Sequence, residues 1–343
     1  MNKAMMLGAA RYVRADNALE NLEELKRYGR RPFVLHGRKA FEAVGDRLTS
    51  VLRRYNFEAT WWRNDGFCSR SQRDRAATEL NARSADFLLA VGGGKCMDLG
   101  KAVAAKAGVP VVTLPTIAAT CAAVTPFSVM YDNEGRPDGS LYHDMPVAMC
   151  IVDTTLLSRA PRRTLCAGIV DSMAKLPELL CGYDGERLPL GLDTAVLLGR
   201  YITNILMPVC RALAGGDSID LDRVFDTVFA LTGTCSGYAA GTKQLALAHA
   251  FNGAVRALHP AQANTWLHGE TVGVGILMQM RMNGDGAENG MRKILMDLGM
   301  PYDMRSLNMS SHGLVEAIAA YMQLTKDDDQ QRERIREALQ AVC

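Results

Sequence analysis

The sequence predicts two parts: an α/β N-terminal domain built on a parallel sheet, followed by an all-α C-terminal domain. Three observations carry this. Short apolar runs alternate with helical patterns through the first half, and several of those runs end at glycine or proline. After Asp153, β-branched runs thin out and Leu, Ala and Met at helical spacing take over. The domains are expected to span 1–158 and 159–343, and a 343-residue chain that is 48% hydrophobic can fill two cores.

Asn17, with Glu20 three residues on, reads as the N-cap of a helix over "ALENLEELKRYG". "RPFVLHG" reads as a strand, "RKAFEAVGDRLTSVLRRYN" as a helix, "FEATWW" as a strand and "SRSQRDRAATELNARS" as a helix. "ADFLLAVGGG" is a continuous apolar run of the kind buried on both faces of a parallel sheet. A helix over "CMDLGKAVAAKAG" and a buried strand "VPVVTLP", closed by Pro115, complete the alternation. Near the C-terminus, "TKDDDQQRERIREALQAV" fits a solvated amphipathic helix.

Composition narrows the partners. A net charge of +2 with no block of five like charges argues against nucleic acid. "MNKAMMLGAARYV" lacks the apolar core of a signal peptide, and no uninterrupted run nears the roughly 18 apolar residues of a membrane span, so a cytoplasmic protein with no membrane partner is expected. Nine cysteines scattered from Cys68 to Cys343 without a C-x-x-C pair read as reduced thiols.

"AVGGGKCMDLGKA" stands where a buried strand gives way to a helix, yet matches neither G-x-G-x-x-G nor G-x-x-x-x-G-K-[ST]. Helix N-termini at the carboxyl ends of parallel strands offer N–H groups and a positive dipole end to anions. Glycines admit a phosphate close to the backbone, with Lys95 or Asp98 adding polar contacts. Three glycines equally suit a tight turn that binds nothing. Beyond the next strand, "TIAATCAAVTPFSVMY" places Thr116, Thr120, Thr125 and Ser128 where small hydroxyl residues can line a nucleotide site, although Ser and Thr also cap purely structural loops. At the first strand end, Gly37 is followed by Arg38 and Lys39. Basic residues there accommodate a ribose 2′-phosphate, which leans toward NADP; the alternative is a solvated helix N-terminus, although cations there oppose the helix dipole.

In the helical half, Asp171 sits among apolar residues near the expected start of a helix, where an unpaired buried carboxylate is costly. It suits a cation, an N-cap role, or a pair with Lys175. His249 and His268 lie in apolar helical segments 19 residues apart, so a shared ion would be held between helices. Two imidazoles and a carboxylate with an open position suit catalytic Zn²⁺ or Fe²⁺, whereas each histidine alone suits a hydrogen-bonded core position. His36, His143, His259 and His312 show no comparable arrangement.

Together these stretches resemble the iron-containing (group III) alcohol dehydrogenase superfamily and its glycerol dehydrogenase-like branch, over nearly the whole chain. "AVGGGKCMDLGKAVA" is similar to the branch's G-G-G-K-x-x-D-x-x-K turn, and "PTIAATCAAVTPFSVMY" to its P-T-I-A-[ST] loop and S-V-x-Y. "AGIVDSMAK" is similar to A-G-x-x-D, and "AHAFNG" and "LHGETVGVG" to the two metal-histidine segments.

The resemblance implies a Rossmann-like N-terminal domain and a helical metal- and substrate-binding domain, the architecture shared with dehydroquinate synthase, with the active site in the cleft between them. It implies a homo-oligomer and a divalent metal, zinc or iron, on Asp171, His249 and His268. NAD(P) pyrophosphate is expected on Gly93, Gly94 and Lys95. Further cofactor contacts are expected from Asp98, Thr116, Ile117, Ala118, Ala119, Thr125, Phe127 and Tyr131.

Departures sharpen the substrate. Cys121 replaces the aspartate of glycerol-using members and resembles branch members linked to 2-oxo acid reduction. "AHAFNG" lacks the second histidine of H-x-x-H-N-G, Val170 replaces a glycine, and Pro177 interrupts the helix after Asp171. The expected function is metal-dependent, NAD(P)-linked interconversion of a small alcohol or 2-hydroxy acid with its carbonyl compound. The rivals are a 3-dehydroquinate synthase-like lyase and a catalytically impaired nucleotide-binding homologue.

Overall fold

In the computed structural model, residues 6–181, 188–239, 247–325 and 327–343 are described. The chain opens with β1 (Tyr12–Ala15) and two 3₁₀ turns, Ala18–Glu20 and Glu23–Tyr28. An alternating series follows: β2 (Pro32–Gly37), α1 (Arg38–Arg54), β3 (Thr60–Asn64), α2 (Arg70–Ala82), β4 (Phe87–Gly92), α3 (Gly94–Ala107) and β5 (Val111–Pro115). Next come β6 (Phe127–Tyr131), β7 (Pro137–Tyr142), β8 (Met149–Asp153), α4 (Thr154–Ser158) and α5 (Arg162–Met173). The remaining helices are α6 (Lys175–Leu179), α7 (Leu190–Gly215), α8 (Leu221–Asp226), α9 (Thr232–Ala239), α10 (Leu247–Leu258), α11 (Pro260–Ala263), α12 (His268–Met282), α13 (Glu288–Asp297), α14 (Leu314–Tyr321) and α15 (Asp329–Leu339).

Among the described residues, six strands form one parallel sheet in the order β1-β8-β5-β4-β2-β3, and β6 and β7 form a separate antiparallel pair. Strand β4 is buried at every position, as its unbroken apolar run requires, and its inner residues join Val34, Leu48, Leu52 and Leu114 in the core. From β2 the chain moves outward to β3, then returns to β4 on the other side of β2 and continues to β5. The strand order therefore switches between β2 and β4, the place where open α/β sheets bind ligands beyond the strands' carboxyl ends.

One expected helix is different in the structure. The segment 18–29 forms two 3₁₀ turns, and Asn17 is left-handed (φ 52°) without a side-chain cap bond. The buried Asp153 carboxylate draws the Leu19 N–H to 2.9 Å, tying this segment to the end of β8. Strands β1, β6, β7 and β8, which lie outside the apolar alternation, add to the expected set.

The chain divides into two compact units that do not follow a single cut: Met6–Leu165 is joined by Leu221–Gly237, and Cys166–Asp220 by Tyr238–Cys343. The second is all helical among its described residues. Its helix α7 is long and apolar enough to cross a bilayer by length and composition alone. It buries Ala195, Val196, Gly199, Ile202, Leu206, Cys210 and Leu213 along one face, as a core helix does. Helix α15 buries Ile335, Ala338 and Leu339 and leaves its charged face outward, as expected. No cysteine among the described residues forms a disulfide, and all but Cys343 are buried.

Candidate functional site

In the helical unit, three glycines of "HGETVGVG" let α12 press against its neighbours. A Cβ on Gly269 would lie 1.9 Å from the Ala167 carbonyl oxygen of α5, and one on Gly275 would lie 2.5 Å from the Ala248 carbonyl oxygen of α10. At Gly273 a Cβ would meet Val170, the residue just before Asp171, at 3.0 Å. These close approaches bring the last turn of α5, the described start of α10 and the first residue of α12 to one place.

Asp171, His249 and His268 meet there. One ligand atom from each lies within 4.8 Å of the others, with Asp171 Oδ1 3.5 Å from His249 Nε2 and 3.2 Å from His268 Nε2. Asp171 is in the final turn of α5, which corrects the expected position near a helix start. The break between α5 and α6 falls before Pro177, whose ring would clash with the carbonyl of Met173, the last residue of α5.

Burial alone would raise the Asp171 pKa, but the imidazoles of His268 and His249 hold it well below the usual carboxylate range. Among the described residues, none donates a hydrogen bond to Oδ1. A buried carboxylate oxygen without a donor, facing two imidazole nitrogens, fits a divalent cation drawing on all three lone pairs. The histidines differ. Burial lowers His268, whereas at His249 the charge of Glu178 overcomes burial and holds the pKa up to about 9. Glu178, missed in the sequence, accepts a hydrogen bond from His249 Nδ1 at 2.8 Å; its only signal was an acid inside the apolar "KLPELL".

In the sheet unit, the expected cofactor residues gather at three adjacent strand ends. Gly92 closes β4 with φ +153°, and a Cβ there would meet Cys96 at 2.9 Å, so only glycine fits. The same Cys96 thiol lies 3.2 Å from a Cβ built on Gly37, which places the β2 end beside the glycine turn. Gly93 begins α3 without a side-chain cap, and the Gly94 N–H has no acceptor among the described residues. Ile117 packs over Gly93, 2.7 Å from a Cβ built there, and the Thr120 hydroxyl approaches Gly94 similarly at 3.3 Å. Thr116 follows β5 and donates its N–H to Gly92 O at 2.9 Å, while Ala118 and Ala119 are buried beyond it.

Other expected contacts have partners of their own. Asp98 pairs with the buried Lys101 at 2.9 Å, and Lys101 also donates to Thr125 O, Thr125 Oγ1 and Phe127 O. Lys101, the closing lysine of the G-G-G-K-x-x-D-x-x-K motif, thus pins the Thr125–Phe127 segment to α3. Lys95 lies 4.1 Å from the centre of the Phe67 ring, which neighbours Tyr131. Arg38 and Lys39 open α1, and Arg38 pairs with Glu42 at 2.9 Å. Cys121 is buried in a 3₁₀ turn capped by Thr120, whose Oγ1 accepts from the Ala122 N–H.

The sequence model of the iron-containing alcohol dehydrogenase family matches residues 9–154. Hydroxycarboxylate dehydrogenase A of Escherichia coli (strain K12) is 31% identical over 256 residues, covering 73% of this chain and 69% of that protein. The chain belongs to the iron-containing alcohol dehydrogenase family. Within the family it falls in the glycerol dehydrogenase-like branch: a glycerol dehydrogenase of Thermotoga maritima is 30% identical over 278 residues, 79% of this chain and 75% of that one. The crystal structure of a probable glycerol dehydrogenase from Sinorhizobium meliloti 1021 shares the dehydrogenase's fold at a TM-score of 0.82 and 22% identity, covering 98% of this chain and 99% of that one. This dehydrogenase is thus an oxidoreductase of alcohol groups.

Proposed function

We propose that the protein is a metal-dependent, NAD(P)-linked reductase of small 2-oxo acids, running reversibly toward the 2-hydroxy acid. The convergence of Asp171, His249 and His268, with the Asp171 oxygen left without a donor among the described residues, carries the metal part of this reading. The relative named hydroxycarboxylate dehydrogenase A supports the substrate class. So does Cys121, which stands where glycerol-using members carry an aspartate whose carboxylate would repel an anionic substrate.

When bound, the divalent metal supplies Lewis acidity toward a substrate oxygen, and the nicotinamide exchanges hydride with carbon. Asp171, His249 and His268 would hold that ion, zinc or iron, each offering one ligand atom. Gly93 and Gly94 present the uncapped start of α3 to the pyrophosphate, with Lys95 beside it. Lys101 keeps the loop of Thr125 and Phe127 in place against α3, and with it the wall that would border the cofactor. Arg38 and Lys39 favour a 2′-phosphate, hence NADP.

The test is oxidation of NADPH and NADH by metal-loaded protein over a panel of aldehydes, ketones and 2-oxo acids. Turnover confined to 2-oxo acids is expected. Bound metal without net redox turnover on any of them favours the lyase and overturns the proposal.

A further inference from the structure

We propose that Glu178 is the positioning residue of the metal centre, fixing His249 in the tautomer that presents Nε2 as a ligand and adding a second negative charge beside the ion. The inference rests on the metal reading above and extends it to a residue outside the ligand set.

The geometry leaves little choice of tautomer. His249 Nδ1 lies 2.8 Å from both Oε1 and Oε2 of Glu178, and an ionised carboxylate only accepts, so Nδ1 carries a hydrogen. In the neutral ring the lone pair is then on Nε2, the atom that faces Asp171 Oδ1. Carboxylate–histidine pairs of this kind orient a ligating ring and raise its basicity. His268 has no such support: among the described residues, nothing accepts from its Nδ1. The two imidazoles are therefore unequal, and His249 is the one built into a rigid mount.

That mount reaches further than one pair. Glu178 Oε1 also accepts from the His249 backbone N–H at 2.9 Å, so one carboxylate holds both the ring and the helix carrying it. Gln279 of α12 is fully buried; its Oε1 accepts from the Leu247 N–H at 2.8 Å and its Nε2 donates to Asn283 Oδ1 at 3.0 Å. Asn283 in turn donates to the carbonyl of Pro177, the residue before Glu178, at 2.7 Å. Helix α12 and its C-cap Asn283 thus brace α6 and α10 together, which keeps the Glu178 carboxylate in register with the His249 ring.

The experiment is a zinc titration of chelator-stripped full-length protein against a chromophoric chelator, for wild type, Glu178→Gln, Glu178→Leu and Asp171→Asn. Glu178→Gln preserves volume and one acceptor, and circular dichroism of the stripped proteins establishes that each variant folds. Expected is about tenfold weaker zinc binding in Glu178→Gln and up to about a hundredfold in Glu178→Leu. At saturating cobalt, the visible ligand-field bands of Glu178→Gln shift from those of wild type, which a merely structural role would not cause. Folded Glu178 variants with wild-type affinity and wild-type bands, alongside loss of zinc in Asp171→Asn, overturn the Glu178 role alone. Full zinc affinity in Asp171→Asn, or none in wild type, overturns the ligand assignment and the Glu178 role with it.

Discussion

Asp171 Oδ1 lies 3.2 Å from His268 Nε2, yet this buried carboxylate oxygen receives no hydrogen bond from any described residue. The contact makes physical sense when both atoms direct lone pairs at a shared cation. Removing the ion should then destabilise the fold, because the carboxylate stays buried without its counter-charge. Binding at about a thousandfold above Kd stabilises by about 4 kcal/mol. Thermal unfolding with and without chelator should show a Tm drop, reversed by added divalent metal and absent in Asp171→Asn.

The helix contacts that assemble the site are equally exposed to test. A Cβ at residue 275 would stand 2.5 Å from the Ala248 backbone oxygen, one residue before His249. Gly275→Ala should cost about 1–3 kcal/mol and weaken metal binding by forcing α10 and α12 apart. Gly290, inside α13, has open space around it, so Gly290→Ala is the control and should leave metal binding unchanged without lowering stability.

Lys101→Met removes one partner of the buried Asp98 carboxylate and the donor to two carbonyls, those of Thr125 and Phe127. Breaking a buried pair costs about 3–5 kcal/mol. Denaturant unfolding should show a loss of that order. Fluorescence titration should show weaker NADPH binding, since the Thr125–Phe127 loop loses its anchor.

The parallel sheet was largely legible because β2, β4 and β5 are buried on both faces and so read as unbroken apolar runs. Strand β1, "YVRA", and the β6–β7 pair lack such runs and form through partners distant in sequence. At 18–29 the leucine spacing suited a helix, but Asp153, far along the chain, captured the Leu19 N–H and shaped the segment into 3₁₀ turns. At the site, Asp171, His249 and His268 were identifiable as residues but their convergence was not. It depends on Gly269, Gly273 and Gly275 admitting neighbouring helices, which spacing within α12 does not reveal. Glu178 reads only as a charged residue in an apolar helix, and Lys101 only as the closing lysine of the glycine-turn motif, since their partners His249, Thr125 and Phe127 come from other segments.

His143 gives a pH signature. Burial, reinforced by the Lys101 charge and opposed by Asp144, lowers its pKa to about 4. Ser128 Oγ donates to Asp98 O, so the Ser128–His143 bond at 2.8 Å has Nε2–H as its donor. The unfolded chain binds this proton more readily, so the stabilising contribution is complete above about pH 6.5 and is lost as pH falls through about 4. Urea unfolding between those limits should show stability falling with pH in wild type and a flatter profile in His143→Gln.

Arg38 tests the cofactor. Its exposed pair with Glu42 is worth only about 0.3–0.5 kcal/mol, so the guanidinium can leave it for a phosphate. A hydrogen bond to a charged group contributes about 1.5–3 kcal/mol. Arg38→Ala should therefore raise the KM for NADPH about tenfold or more and leave that for NADH nearly unchanged. A wild-type preference for NADH that Arg38→Ala does not alter would remove the NADP assignment.

The most direct test of a metal-dependent oxidoreductase built on Asp171, His249 and His268 is the rate of NADPH oxidation with a 2-oxo acid. It is measured on chelator-stripped protein before and after divalent metal is returned. Stripped wild type should be inactive and recover with added metal, while Asp171→Asn should not recover. Full activity in the stripped wild type, or equal recovery in Asp171→Asn, would contradict the account.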